Sequence, residues 1–280
     1  MKVAIFGIGL IGGSLAKDLR ESKFASEIIG VENSESHAKK ALEIGLVDRV
    51  ERKENAIAEA DLIILTVPVN ALIDELKFVL ERLKPHQIVT DCGSTKGVII
   101  DGVRNSPNRN RYVASHPMAG TEYSGPTAAI SGLFSGKICI FCDVENSDSD
   151  AVEAVEKMYL AIGMDIKQME SHQHDMHAAY ISHISHISSF VLAATVLEKE
   201  KDEEAIFEMA GGGFESTVRL AKSSPNTWSP IFEQNKGYLL EAIDTYIEKM
   251  YHFRNLINKN KFAELEKFMS EANEIKKILK

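Results

Sequence analysis

A glycine-rich turn near the N-terminus constrains the fold of this chain more than any other feature. Gly7, Gly9 and Gly12 form a GxGxxG pattern between an apolar run at 2–6 and a helical pattern at 12–22. Gly7 permits a tight turn, Gly9 lets the backbone approach a pyrophosphate, and Gly12 lets helix and strand pack closely. The pattern predicts a strand, a phosphate-binding turn and a helix, which together begin a βαβ unit.

A carboxylate stands at the end of the next apolar run. Glu32 lies 20 residues beyond Gly12, where a carboxylate accepts hydrogen bonds from the adenosine ribose and repels an added 2′-phosphate. This spacing favours NAD over NADP as the cofactor. The segment from Thr66 to Pro68 follows a third strand and is expected to pass the nicotinamide, although an ordinary strand end fits it equally well. The predicted cofactor-binding residues are Gly7, Gly9, Leu10, Ile11, Gly12, Glu32, Thr66, Pro68 and Ser94.

The two halves of the chain differ in their patterns. Up to residue 169, short β-branched runs alternate with helical patterns, whereas only helical patterns follow residue 171. We therefore predict an α/β protein, with a Rossmann-type doubly wound parallel sheet in residues 1–169 and an all-helical domain in residues 170–280. A striped helical domain of this size often buries its remaining apolar surface against a copy of itself, so we expect a homodimer formed by the helical domain.

The sequence patterns behind this prediction are short. Strand patterns lie at 2–6, 27–31, 62–66, 88–91, 112–115, 137–142 and 165–169. Helical patterns in the second half lie at 174–199, 202–209, 231–258 and 261–280.

Composition disfavours several classes of partner. A net charge of -9 without a basic run disfavours nucleic acid. The longest apolar run, 61–68, is far below the roughly 18 residues of a membrane span, and the N-terminus lacks a signal-peptide pattern. We expect a cytoplasmic protein. Its three cysteines suit a reducing compartment, and the CxxC of Cys139 and Cys142 is interpreted as buried thiols on a strand rather than a zinc or redox site.

Two further strand ends carry polar side chains. The turn at 91–97 offers the hydroxyl of Ser94 and the ammonium of Lys96, and His116 is expected just past the strand at 112–115. Because ligands of open α/β sheets bind beyond the carboxyl ends of the strands, both segments should face the cofactor. With an ordinary pKa of about 6.5, a histidine takes up a proton near neutrality, so His116 is a candidate base. A structural capping role is the alternative.

Four segments resemble, in this order, the motifs of the prephenate dehydrogenase family: 7–20, 91–97, 115–122 and 211–219. The HPxAGTE pattern within 116–122 is the most specific of them, and the resemblance covers nearly the whole chain. It implies NAD-dependent oxidative decarboxylation of prephenate to 4-hydroxyphenylpyruvate in tyrosine biosynthesis. It also implies a dimer held together by the helical domain.

The resemblance further implies roles for individual residues. His116 matches the catalytic histidine, which accepts a hydrogen bond and then the proton of the ring hydroxyl as hydride leaves. Ser94 matches a serine that orients this histidine and the substrate hydroxyl, and Arg219 matches an arginine that grips a substrate carboxylate with its planar donors. The other predicted substrate-binding residues are Thr121, Glu122, His186, Gly212 and Trp228.

Five histidines, His172, His174, His177, His183 and His186, present a metal site as an alternative. At 100° per residue, the first, fourth and fifth of them share one helical stripe. Zinc sites usually add a carboxylate or thiolate ligand and closer i, i+4 pairing, so we predict no metal. The second and third point elsewhere on this wheel and are expected to be exposed.

The residues alone are also compatible with other activities. Glu215 and Ser216 stand where some relatives carry lysine and aspartate, and a carboxylate there could attract the amine of arogenate, so arogenate or dual use is an alternative. A β-hydroxyacid dehydrogenase would share both domain types, but it typically relies on a lysine that the helical pattern here does not single out. A non-catalytic NAD-sensing protein is also compatible with the glycine fingerprint.

Overall fold

The computed structural model describes residues 1–201 and 209–278. The chain forms two compact units, residues 1–235 and 236–280. Most of the predicted helix at 202–209, and the last two residues of the one predicted at 261–280, lie outside the described residues. The domain boundary predicted at residue 169 stays a prediction.

The first unit is built on an eight-stranded sheet with the strand order β3-β2-β1-β4-β5-β6-β7-β8. The strands are β1 (Lys2–Phe6), β2 (Glu27–Val31), β3 (Arg49–Val50), β4 (Leu62–Leu65), β5 (Ile88–Asp91), β6 (Tyr112–Pro117), β7 (Ile138–Cys142) and β8 (Asp165–Met169). The chain runs outward from β1 in one direction to β3 and in the other to β8. A crevice therefore opens at the carboxyl ends of β1 and β4, where the strand order reverses.

Helices connect the strands of the sheet and follow its last strand. In the first unit they are α1 (Leu10–Glu21), α2 (Glu35–Glu43), α3 (Lys53–Glu59), α4 (Val69–Leu80), α5 (Gly97–Val103), α6 (Ser149–Ala161), α7 (Ser171–Ala178), α8 (Ile184–Glu200), α9 (Gly212–Val218) and α10 (Pro225–Gln234). The second unit contains α11 (Lys236–Asn258) and α12 (Phe262–Ala272). Within it, the rings of Phe253 and Phe268 lie 5.9 Å apart.

Alternate side chains of the central strands enter two apolar cores. Val3 and Ile5 belong to one core, which includes Leu15 of α1, whereas Phe6 belongs to the other, which includes Leu72 of α4. Successive side chains of a strand point to opposite faces, so helices must cover both faces of this sheet. The predicted doubly wound α/β class with a helical C-terminal part is confirmed.

The sheet departs from the prediction at one pair of strands. All paired neighbours are parallel except β6 and β7, which are antiparallel, with His116 opposite Ile140. The connection at 118–137, which is described throughout, contains no α-helix, and parallel neighbours normally need a crossover of that kind. The CxxC pair lies on β7 as predicted: Cys139 and Cys142 are buried, free and part of different cores.

The helical stretch after β8 begins earlier than predicted and is not a regular α-helix. Glu170 caps α7 by accepting hydrogen bonds from the backbone of His172 and Gln173. Ala179–His183 form a π-helical turn before α8, and such a turn adds a residue to the helical repeat. The predicted common stripe is therefore wrong: the side chain of His172 is 49% exposed, whereas His183 is buried.

The same stretch corrects the expectation that no segment approaches the length of a membrane span. Ser171–Glu200 reaches a mean hydropathy of 1.4 and is long and apolar enough, by length and composition, to cross a membrane. Serines and histidines interrupt its apolar residues, so it contains no long uninterrupted apolar run. The first turns of this stretch carry buried polar side chains that form hydrogen bonds with the sheet domain. Asp175, for example, accepts from the backbone amide of Lys96. These turns are therefore packed against the rest of the protein.

Candidate active site

The glycine turn after β1 has the geometry that phosphate binding requires. Gly7 adopts a φ of +90°, which favours glycine. A Cβ on Gly12 would stand 2.1 Å from the carbonyl oxygen of Gly7, while a Cβ on Gly9 would meet nothing within 4 Å. Gly9 is the N-cap of α1, whose first amides have no intrahelical acceptor. An anion approaching Gly9 thus meets free space and the positive end of a helix.

The neighbouring strand ends hold this turn in place. Thr66 donates from its hydroxyl to the carbonyls of Phe6 at 2.9 Å and Gly7 at 2.6 Å. Glu32 accepts hydrogen bonds from the amides of Ile8 and Ser34, each at 3.0 Å. Each carboxylate oxygen of Glu32 retains a lone pair that could accept a ribose hydroxyl. The Thr66 hydroxyl therefore stabilises the glycine turn.

One cavity of about 530 Å³ extends from the glycine turn across the carboxyl ends of the strands. The predicted site residues that line it are Gly7, Gly9, Leu10, Ile11, Glu32, Thr66, Pro68, Ser94, Thr121, Glu122 and Trp228. The structure therefore brings residues from six separated segments to one surface. Gly12, His116, His186, Gly212 and Arg219 are not part of its lining.

The side chains of two of these five residues contact the lining directly. The Arg219 guanidinium donates to Glu122 Oε2 at 3.1 Å. A hydrogen bond from its own backbone amide and, after it, the contact with Arg219 lower the pKa of Glu122. The ring of His186 stacks on Trp228, with centroids 3.4 Å apart. Gly212 is exposed, and none of the described contacts ties it to the cavity.

The turn after β5 divides its polar side chains between cavity and interior. Ser94 lines the cavity, but Lys96 is wholly buried and forms an ion pair with Asp91. The Lys96 ammonium also donates to the carbonyl of Ser115 at 2.8 Å, and Tyr112 donates to Asp91 at 2.7 Å. The prediction that Lys96 faces the cofactor is therefore wrong, because its partners are the backbone and carboxylate below the site.

His116 lies within β6 rather than just past it, and only 8% of it is exposed. Burial and, after it, the nearby basic side chains of His174, Lys96 and His183 lower the pKa of His116 well below its usual 6.5. A neutral imidazole at this position is ready to accept a proton near neutral pH. Among the described residues, no hydrogen bond joins Ser94 to His116.

The partner of His116 is a residue that the sequence analysis placed on the surface. His174 is 3% exposed, and its Nε2 lies 2.8 Å from Nδ1 of His116. The expectation that His174 is exposed is wrong, because the polar edge of α7 packs against the turn after β5 instead of facing solvent. The adjacent pair of histidine and Asp175 was the available signal, since a buried carboxylate commonly orients an imidazole.

Two protein-family models match most of the chain. The model described as "Prephenate dehydrogenase, nucleotide-binding domain" matches residues 15–168, and "Prephenate dehydrogenase, dimerization domain" matches residues 170–271. The chain belongs to the prephenate dehydrogenase family. The predicted nucleotide-binding fold and the family resemblance are thereby confirmed.

Individual members of the prephenate dehydrogenase family resemble the chain over its length. Prephenate dehydrogenase of Bacillus subtilis is 29% identical, over 97% of this chain and 74% of its own. The prephenate dehydrogenase structure from Aquifex aeolicus, in complex with hydroxyphenyl propionate and NAD+, has a TM-score of 0.91 at 29% identity, over 100% of this chain and 98% of its own. The arogenate dehydrogenase structure from Synechocystis has a TM-score of 0.79 at 27% identity, over 99% of both chains.

Proposed function

We propose that the protein catalyses the NAD-dependent oxidative decarboxylation of prephenate to 4-hydroxyphenylpyruvate, a step of tyrosine biosynthesis, in the cytoplasm. The carrying observation is the buried His116 at the carboxyl end of β6, just before residues 119–122, which line the cavity of the glycine turn. A base at this edge of the sheet stands where a substrate beside the nicotinamide would present its hydroxyl group.

The glycine turn and Glu32 fit NAD as the cofactor. Gly9 leaves room for the pyrophosphate at the start of α1, and Glu32 offers two anchored carboxylate oxygens to a ribose. A 2′-phosphate would meet the charge of Glu32, which disfavours NADP. When bound, the nicotinamide supplies the acceptor for the hydride.

The protein's own residues would serve the rest of the reaction. His116 takes the proton of the substrate hydroxyl while the carbon that bears it gives up a hydride. Loss of the ring carboxylate as carbon dioxide then aromatises the ring, and the proton returns to the phenolate oxygen, so no net proton is consumed. Within the described residues, Arg219 has donors left beyond its bond to Glu122, and they would bind a carboxylate of the substrate.

Arogenate is the second candidate substrate because Glu215 stands where some relatives carry a lysine. Glu215 carries a carboxylate on the first turn of α9, where an amine could be attracted. The ammonium of Lys222 lies 3.7 Å from that carboxylate, however, and both side chains are exposed. This existing ion pair reduces the gain from a substrate amine, so prephenate remains the first candidate.

The family's dimerization domain supports a homodimer through the helical part of the chain. The stretch Ser171–Glu200 is only 17% buried in its most apolar window, and Ile181 and Val191 are 67% and 59% exposed. Exposed apolar side chains grouped on one helix are typical of a surface that a second copy of the chain covers.

A panel of two substrates and two cofactors tests the function. Prephenate or arogenate is supplied with NAD or NADP, and NADH absorbance and released carbon dioxide are measured together. We expect equal amounts of NADH and carbon dioxide with prephenate and NAD, and much slower turnover with NADP. NAD binding without turnover of either substrate would instead indicate a non-catalytic NAD-sensing protein.

A further inference from the structure

Three buried side chains form a continuous hydrogen-bonded chain that leads away from the active site. His116 Nδ1 lies 2.8 Å from His174 Nε2, and His174 Nδ1 lies 2.8 Å from Oδ1 of Asp175. The three residues are 8%, 3% and 3% exposed, in that order. Because water has little access, each proton position in this chain is set by the neighbouring side chain.

Two backbone amides determine the direction of the chain. The amide of Lys96 donates to Asp175 Oδ1 and that of Gly97 donates to Oδ2, both at 2.8 Å. A carboxylate only accepts hydrogen bonds, so the hydrogen between Asp175 and His174 belongs to Nδ1 of the imidazole. A His174 ring whose single hydrogen is on Nδ1 has its lone pair on Nε2 and accepts from Nδ1 of His116.

The remaining nitrogen of His116 is therefore the basic one. A neutral imidazole that carries its hydrogen on Nδ1 has its lone pair on Nε2. In the described part of the chain, this Nε2 has no hydrogen-bond partner. We propose that His174 and Asp175 are positioning residues, which hold His116 in the Nδ1–H tautomer and leave Nε2 to accept the hydroxyl proton of the substrate.

The chain also stabilises the charge that proton transfer creates. Once Nε2 is protonated, the positive charge of His116 lies one hydrogen bond from His174 and two from the carboxylate of Asp175. The other groups that face His116 do not supply this anion. The ammonium of Lys96 is paired with Asp91, and His183 is neutral because burial, above all, lowers its pKa to about 4.

The tautomer can be measured without any activity. In wild-type protein with ¹⁵N-labelled histidine, NMR at pH 8 should show the His116 ring protonated on Nδ1 and unprotonated on Nε2. The resonance is assigned by its loss in His116→Asn. In His174→Phe, which removes the acceptor, the fraction of the Nε2–H tautomer should rise. A wild-type ring protonated on Nε2 would overturn the inference, whatever the enzyme does.

Kinetics tests the consequence, which rests on the proposed function. We expect His174→Phe to lower kcat about 10²-fold or more with little change in the KM for prephenate. His174→Gln, whose amide oxygen can still accept a hydrogen bond, should recover part of that loss. The matched control is His177→Gln, which changes an exposed histidine on the same helix and should leave kcat unchanged.

The outcomes of the two measurements are distinguishable. Full kcat in a folded His174→Phe variant would refute the positioning role. Wild-type protein without turnover of either substrate would refute the proposed function, and the wild-type tautomer would then decide the inference alone. Thermal unfolding shows whether each variant is folded, and a misfolded His174→Phe leaves the wild-type tautomer and His174→Gln as the deciding measurements.

Discussion

His116 has to be neutral before it can take a proton, and its environment keeps it so. Burial costs the charged imidazolium its hydration, and the basic side chains around it disfavour an added positive charge, so both effects lower the pKa of His116. The buried carboxylate of Asp175 is linked to it through His174. The residue is thus poised as a base over a wide range of pH, and its basicity depends on hydrogen bonds behind the ring.

The pH dependence of turnover follows from the lowered pKa of His116. Activity requires the unprotonated ring, so it is present above the pKa of His116 and lost as pH falls through it. Since that pKa lies well below 6.5, we expect kcat/KM for prephenate to remain constant from pH 8 to 6.5 and to fall only at lower pH. Rates measured from pH 4.5 to 8.5 would test this, and a midpoint above 6.5 contradicts it.

Arg219 should contribute to substrate binding and not to cofactor binding. Its guanidinium is half exposed and bonds to Glu122, and none of its described hydrogen bonds reaches the glycine turn. For Arg219→Ala we expect the KM for prephenate to rise about ten- to a hundredfold, as for a lost charged hydrogen bond, with the NAD dissociation constant unchanged. Arg219→Lys keeps the charge and should lose less. An equal weakening of NAD binding would indicate damage to the fold.

At the scale of elements, a buried ion pair between Asp91 and Lys96 holds the carboxyl ends of β5 and β6 in place. Asp91 ends β5, Lys96 precedes α5, and their ion pair reaches the carbonyl of Ser115, the residue before His116. Both side chains have no exposed surface. The pair therefore couples the turn that carries Ser94 to the strand that carries the base.

Removing one member of this pair should be costly. Lys96→Met leaves the Asp91 carboxylate buried without its cation, and we expect a loss of about 3 to 5 kcal/mol in the free energy of unfolding. Lys157→Met is the matched control, because Lys157 and its partner Glu153 are 71% and 65% exposed, and about 0.5 kcal/mol or less is expected there. Urea unfolding compares them, and similar small losses would contradict a structural role for the buried pair.

The parts of the site that could be predicted from sequence are those set by local rules. Glycine spacing predicted the turn after β1, and strand ends predicted that Ser94 and Glu122 reach one cavity, because the carboxyl ends of parallel strands meet at one edge. The inward turn of Lys96 and the burial of His174 depend on contacts between distant segments. The π-helical turn at 179–183 also shifts the helical repeat, which a constant 100° per residue does not capture.

At the scale of the whole molecule, exposed apolar side chains are concentrated in helices of the C-terminal part. Ile181 and Val191 on the stretch after β8, and Met250 and Tyr251 of α11, are more than half exposed. A dimer formed by the helical part would remove such surface from water, at roughly 25 cal/mol per Å². We therefore expect the helical surface of one copy to cover that of another.

Sedimentation equilibrium tests the dimer. The wild-type protein should sediment at about twice the 31.0 kDa of one chain. Val191→Glu places a charge in the proposed interface and should shift the equilibrium toward the monomer. Leu160→Glu changes a comparably exposed apolar residue of α6 in the sheet domain, and it should leave the dimer intact. A monomeric wild-type protein at micromolar concentration, or equal effects of both variants, would contradict this interface.

The turnover of His116→Asn tests the account most directly. Compared with wild type and with His177→Asn, an exposed-histidine control, it should show a kcat with prephenate and NAD lower by about 10² to 10⁴, the usual contribution of a positioned base. NAD affinity and the unfolding transition should stay close to those of wild type. A folded His116→Asn enzyme that binds NAD and releases carbon dioxide at the wild-type rate would contradict the assignment of the base and the mechanism built on it.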